Sequence, residues 1–248
     1  MSAGVVVAIV AAVLVGTVLQ RVAGMGVGLV VAPVLAIALG PVVGVFVTNA
    51  TTIVSGVLIM LSVIARVQWR QYLLFVPGVI VGAVPAALLV GMMDGAWLSI
   101  LIGSVVLAAL ALTLATPRLP HVRTPALSLA TGLVGGFLNT ASGVAAPAMA
   151  IHARLTRWDQ SGFAATLQPT FATMGIVSVG AKLATGTTTL AQLPPPWIFP
   201  VIVATVLCGV GLGAWLARRV PPRVARAAAF TIAGAGAVSA IVRGIAQL

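Results

Sequence analysis

Long apolar runs, broken by charged residues, prolines and glycines, fill the chain at 3–20, 27–39, 42–65, 71–92, 96–115, 125–141, 144–155, 160–182, 197–217 and 224–246. A helix rising 1.5 Å per residue needs roughly 20 such residues to cross about 30 Å of hydrocarbon. Runs 27–39 and 144–155 make only roughly 18 to 20 Å of helix and do not span comfortably. The pattern predicts an all-α polytopic membrane protein of ten hydrophobic segments. In it the first and second segments, and the sixth and seventh, form re-entrant or broken helical hairpins, because irregular backbone at membrane depth is tolerated where it lines a cavity. Six full crossings complete the expectation, with the hairpin tips meeting near the midplane.

The loop Thr116 to Arg123, with two prolines and two arginines, divides the single membrane domain 1–248 into a first repeat 1–116 and a second repeat 124–248. Leu19-Gln20, followed four residues on by Gly24, recurs 119 residues later as Leu138-Asn139 followed by Gly143, and a proline closes each motif, Pro33 and Pro147. GVFVTN from Gly44 to Asn49 resembles GFAATLQ from Gly162 to Gln168, and each precedes an Ile-Val-Ser triplet ending at Ser55 or Ser178. An odd number of crossings per half makes the halves inverted copies, each a hairpin plus three transmembrane helices, a plan that places transporter sites at the repeat interface.

Composition agrees with the pattern: 61% of the 248 residues are hydrophobic and 6% charged, which no soluble domain shows. Net charge +11 does not indicate nucleic acid here, because the thirteen Lys and Arg sit mostly in the gaps between apolar runs. Arg66, Arg70, Arg118, Arg123, Arg154, Arg157, Arg218, Arg219, Arg223 and Arg226 all follow odd-numbered segments, so those loops are expected in the cytoplasm and both termini outside. Trp69, Trp97, Trp158 and Trp197 fall near segment ends, as interfacial anchors do. The run Val5 to Leu19 lacks a basic stretch ahead of it and is expected to stay in the mature chain. Cys208 is expected to be a small buried apolar residue.

Chemistry concentrates at the two expected tips. Gly24, Gly26 and Gly28, beside Gln20 and Arg21, permit a tight turn that leaves amide N–H groups free at a helix start, where the dipole favours an anion. Arg21 adds a planar set of donors suited to sulfonate, sulfite or carboxylate oxygens. Helix packing alone is the competing explanation for these glycines. The second tip offers Asn139, Thr140, Ser142 and Gly143, whose polar groups need partners in hydrocarbon. Thr48 and Asn49 with Thr51 and Thr52, and Thr166, Gln168 and Thr170 around Pro169, occupy equivalent places in the third and eighth segments. The substrate-binding set is therefore Gln20, Arg21, Gly24, Gly26, Gly28, Asn139, Thr140, Ser142 and Gly143, with Thr48, Asn49 and Gln168 behind them. His152 is the candidate proton site. Lys182 is expected to snorkel to the interface, with attraction of a leaving anion as the alternative. Asp94 and Asp159, the only acids, fall in expected loops, with Asp159 near enough to Arg157 for a local pair. No catalytic pair, metal cluster or cofactor motif is present in this pattern, and no enzyme is expected.

LQRVAGMGVGLVVAP from Leu19 to Pro33, GFLNTASGVAAPAMAIHA from Gly136 to Ala153, RVQWRQ from Arg66 to Gln71 and the two-half layout resemble the TauE/SafE family of sulfite and organosulfonate exporters, over nearly the whole chain. The chain departs from the glycine-rich pattern of many relatives at Ala145-Ala146. The resemblance implies a multi-pass transporter of the bacterial cytoplasmic (inner) membrane. Its partners would be the lipid bilayer and a small anion such as sulfite or sulfoacetate, exported by alternating access without a cofactor. An anion channel, a carrier of carboxylates or other small anions, and a membrane enzyme subunit are the rival functions. A homo-oligomer is compatible with the pattern.

Overall fold

The computed structural model describes residues 1–115 and 120–248. Thr116 to Leu119 of the expected divide, Arg118 among them, lie outside the described residues. Among the described residues ten α-helices follow one another: α1 (Ala3–Ala23), α2 (Val27–Leu39), α3 (Pro41–Val63), α4 (Trp69–Gly91), α5 (Gly95–Ala115), α6 (Pro125–Ser142), α7 (Ala146–Thr156), α8 (Gln160–Ala184), α9 (Ile198–Leu216) and α10 (Pro222–Ile245), with 3-10 turns at Ile64–Arg66 and Leu190–Gln192. No strand occurs among the described residues.

Local chemistry explains the breaks. Gly24 and Gly143 both take left-handed backbone, φ +84° and +76°, and their N–H groups close onto the carbonyls of Gln20 and Asn139 at 2.8 Å. The recurring amide residue with glycine four places on is thus one capping device used twice. Thr124 starts α6 by accepting from Leu127 N at 3.1 Å, with Pro125 in the first turn where its missing N–H costs nothing. The two prolines closing the motifs differ in part: Pro147 sits in the first turn of α7, whereas Pro33 lies inside α2. α8 continues through Pro169.

Among the described residues, five helices are long and apolar enough to cross a membrane by length and composition: α1, α3 with its 3-10 extension to Arg66, α4, α9 and α10. The two arms of the first hairpin are therefore unequal, since α1 reaches spanning length and the 13-residue α2 does not. α8 has 25 residues but carries the polar side chains of the centre. The distribution is inside-out relative to a water-soluble protein. Leu61, Leu73, Val81, Leu207 and Val242 face outward, while Gln20, Thr48, Asn49, Asn139, Thr140, Gln168, Ser178 and Lys182 are buried. That arrangement suits a chain whose solvent is lipid.

The most extensive helix pairings are α4 on α6, α3 on α8, α5 on α10 and α1 on α9. Exchanging α1–α5 with α6–α10 maps α4·α6 onto α9·α1, α4·α8 onto α9·α3 and α2·α10 onto α7·α5, and all of these contacts occur. α4 and α6 approach backbone to backbone. A Cβ on Gly78 or Gly82 would collide with the carbonyls of Leu129 or Leu133, and one on Gly132 or Gly136 with those of Phe75 or Val79. Each helix thus contributes glycines four residues apart, the small-residue spacing that lets membrane helices close up.

Two sequence expectations are corrected at the periphery. Cys208 is exposed on the outer surface of α9, because its position on that helix points away from the α1 contact. Trp158 is partly buried rather than an interfacial anchor. Its Nε1 donates to Gln68 Oε1 at 2.9 Å, and its ring packs among Phe75, His152 and Phe163. Trp69, Trp97 and Trp197 do stand exposed.

Candidate functional site

α3 and α8 lie antiparallel, with Gly175 against Asn49 and Ile53 and Gly56 against Gln168 and Ala172. The hairpins insert beside this pair from opposite ends. α1 runs far enough to set Gly24 against Ala164, in the second turn of α8, and α6 sets Gly143 against Thr48, in the second turn of α3. The hairpins therefore overlap in depth. Gly28 in the first turn of α2 meets the carbonyl of Gly143, so closely that any side chain there would collide.

Each hairpin end is tied to the long helix of the other half by a buried amide pair. Gln20 Nε2 donates to Gln168 Oε1 at 2.8 Å, and Asn139 Nδ2 donates to Asn49 Oδ1 at 2.7 Å. The supporting bonds are also paired. Gln168 Nε2 donates to the Gly24 carbonyl at 3.1 Å, and Asn49 Nδ2 to the Asn139 carbonyl at 3.4 Å and to Ser178 Oγ at 2.9 Å. Gln20 Oε1 accepts from Val27 N at 3.3 Å, which holds the start of α2 toward the centre. All four amides are at most 3% exposed, so losing one partner strands a polar group in a dry interior.

Between the hairpins lies a small cavity lined by Gln20, Gly26 and Gly28 of the first hairpin and by Asn139, Gly143, Ala145 and Ala146 of the second, with Thr52 and Phe171 on its flanks. It offers about 10 Å³ to the centre of a water molecule, room for about one water. The first turns of α2 and α7 both border it, and the leading N–H groups of a helix have no acceptor within that helix. Two positive helix ends, two side-chain amides and no carboxylate therefore converge on one point, an arrangement that attracts an anion. The alanines at 145 and 146 do not prevent it: Gly143 makes the turn, and α7 begins at Ala146.

Of the expected residues, Gln20, Gly26, Gly28, Asn139 and Gly143 line this cavity, and Asn49 and Gln168 stand directly behind it. Gly24 forms the turn below it. Thr48 and Ser142 turn their hydroxyls to carbonyls of their own helices, Gly44 and Leu138, each at 2.8 Å. Thr140 is buried with its Oγ1 unpartnered. Arg21 is not brought to the cavity. Its Cβ and Cγ lie against Gly213 of α9, and its charge is within influence of Arg66. Phe171 was missed as a lining residue, and Thr52, named in the third segment, was left out of the binding set; each follows the amide of its helix by three places and so shares its face.

The arginines gather at the end where α3 stops and α8 begins. Cavities of about 350 and 180 Å³ share Gln68, Gln71 and Arg123, and add Arg70 to one and Arg157 to the other. A third, of about 250 Å³, lies between Arg154 and Arg226. Asp159 caps α8 in this region, accepting from Gly162 N at 2.6 Å, Ser161 Oγ at 2.9 Å and Gln68 Nε2 at 3.2 Å. Its oxygens thus serve the helix start in place of the expected Arg157 pair, and the Gly162 and Ser161 donors hold its carboxyl below the usual range. His152 lies beneath Gln71. Thr131 spends its hydroxyl proton on Leu127 O at 2.7 Å, so it accepts from His152 Nδ1 at 2.9 Å, and His152 Nε2 then accepts from Gln71 Nε2 at 3.3 Å. Both ring nitrogens are satisfied in the neutral form.

Comparison with curated proteins and comparison with solved structures each find no match. The model of one protein family, described as Sulfite exporter TauE/SafE, matches residues 8–240. A match of that extent, on a chain whose polar centre is built from two opposed hairpins, makes this a multi-pass membrane transport protein of the TauE/SafE sulfite exporter family.

Proposed function

We propose that the protein carries sulfite or a small organosulfonate across the membrane by alternating access, with the anion bound between the hairpins. The observation that carries this is the convergence of the first turns of α2 and α7 with the amides of Gln20 and Asn139 on one small cavity. The donors would contact substrate oxygens, and Asn49 and Gln168 would orient them. Gly28 and Gly143 allow the hairpins to approach backbone to backbone beside the site, and a contact this close favours a carrier over an open channel. Arg21, with the arginines of the vestibule, belongs to the approach rather than to the cavity.

On this reading the halves are inverted copies and the arginine-lined end faces the cytoplasm, with both termini outside. A cytoplasm at negative potential then drives anions outward by about 2.3 kcal/mol per charge for each 100 mV, or roughly 4.6 kcal/mol for a dianion. With no carboxylate in any helix and His152 satisfied as a neutral ring, uncoupled electrogenic export is the favoured mechanism. Purified protein in sulfite-loaded liposomes should release sulfite faster under an inside-negative potential with no pH or sodium gradient. Efflux that ignores the potential, follows an imposed pH gradient and loses that response in His152→Ala would establish proton coupling instead.

A further inference from the structure

Lys182 ends α8 but does not reach out to the interface. It is 0% exposed, among the largest side chains so buried, and its Nζ has no hydrogen-bond partner. Snorkelling therefore does not account for it, and an ammonium left alone in an apolar interior is costly. Among the described residues no ion pair reaches it, and the one acid at this end, Asp94, is exposed three residues beyond Gly91, the α4 residue that meets Thr187. α3 and α6 contain no ionisable side chain, and Arg70 and Tyr72 of α4 lie at that helix's opposite end.

Two further observations define the setting. Residues 185–189 fold back over the end of α8: Thr188 N donates to the Lys182 carbonyl at 3.2 Å, and Thr187 Oγ1 donates to Ala87 O of α4 at 3.0 Å. Thr188 is itself buried, 1% exposed, and its Oγ1 is also without a partner. One orphaned polar group of the strap and one of the helix it covers are thus buried together at this end. Along α8, Lys182 shares a face with Ser178, one turn earlier, which holds Asn49 and through it Asn139 at the wall of the central cavity. A line of polar groups therefore runs from the cavity to Lys182, about 6 Å of helix beyond Ser178.

We propose that Lys182 and Thr188 form a second anion station, under the strap at 185–189, which takes the oxyanion on its way between the hairpin site and the face where α8 ends. The passing anion supplies the counter-ion that the resting site lacks, and the Thr188 hydroxyl donates to it. This rests on the hairpin reading, because a station needs a site to serve.

The test uses Lys182→Met, Lys182→Arg and Thr188→Val in liposomes, with sulfite as the probe and melting temperature measured alongside. Removing an unpartnered buried charge should leave the melting temperature of Lys182→Met unchanged or raised. Its sulfite efflux should fall by about ten-fold or more, while half-saturation at the hairpin site stays within about three-fold. Lys182→Arg should retain part of the flux, and Thr188→Val should lose about two- to five-fold. Native-like efflux in Lys182→Met, or a melting temperature lowered by its substitution, would overturn the station. Loss of sulfite binding in Gln20→Met would leave the hairpin reading standing in that event. Unchanged binding there would remove both.

Discussion

Replacing Gln168 by Leu tests the central amide pairing most directly. The change deletes the acceptor of Gln20 Nε2 and the donor to the Gly24 carbonyl, while Ala164 O keeps its helical partner. Two buried groups are stranded at about 1–3 kcal/mol each, a loss of roughly 2–6 kcal/mol. For a chain of 248 residues, that lowers the melting temperature by about 4–24 °C. Gln20→Met strands Gln168 Oε1 and Val27 N and should cost a similar amount. In the double variant neither side chain of the broken bond remains to be stranded, so its loss should fall short of the summed singles by about 2–3 kcal/mol. The double variant should regain that part of its stability without regaining sulfite-induced stabilisation. The assay is thermal unfolding in detergent, with and without sulfite. Stabilities that add within about 0.3–0.5 kcal/mol, or a double variant still stabilised by sulfite, would refute the reasoning.

Gly82→Val should abolish folded yield, since its Cβ meets the Leu133 carbonyl, whereas Gly211→Ala, with nothing within 4 Å, should leave size-exclusion profiles unchanged. Gly28→Ala should separate the hairpins at a cost of about 1–3 kcal/mol and slow sulfite flux; a native rate would show that this contact is not part of transport. Asp159→Ala should cost about 1 kcal/mol through the lost helix cap. Because the native carboxyl is held below its ordinary range, that contribution is present above the ordinary carboxylate pKa and disappears as pH falls through the lowered one, which thermal melts from neutral to acid pH will report. Cysteines at Ser2, Gly95 and Gly186 in a Cys208→Ala background should react with an impermeant thiol reagent from outside, and cysteines at Arg70, Pro120 and Pro221 should not. The opposite pattern would reverse the orientation.

Several helix limits were legible because those boundaries carry their own local chemistry. The αL caps at Gly24 and Gly143, the proline at the start of α6 and the acid before α8 are all written within four residues of the break they make. Run 27–39 coincides with α2 for that reason. The partners of the tip amides were less legible. Gln20 and Gln168 are 148 residues apart and Asn139 and Asn49 are 90 apart, so sequence could nominate all four but not pair them. Arg21 misled because charge and neighbourhood suggested the site, whereas the turn of α1 directs it toward α9. Lys182 misled in the opposite sense. A lysine one turn from a helix end ordinarily reaches water, and only the strap at 185–189, invisible to periodicity, covers it. The glycine spacings at 78 and 82 and at 132 and 136 were present in the sequence, yet nothing local tells which helix a glycine stripe will meet.

The glycine seam between α4 and α6 sets the mechanics of any transport cycle. α4 comes from one half of the chain and α6 from the other, and four glycines lock them at backbone distance; α9 grips α1 in the reciprocal manner through Gly209 and Gly213. The halves are therefore cross-linked like two people with arms hooked through each other's elbows. Rocking the first five helices as a block against the last five would tear open both grips. A motion that spared both grips would have to keep α4 with the second hairpin and α9 with the first.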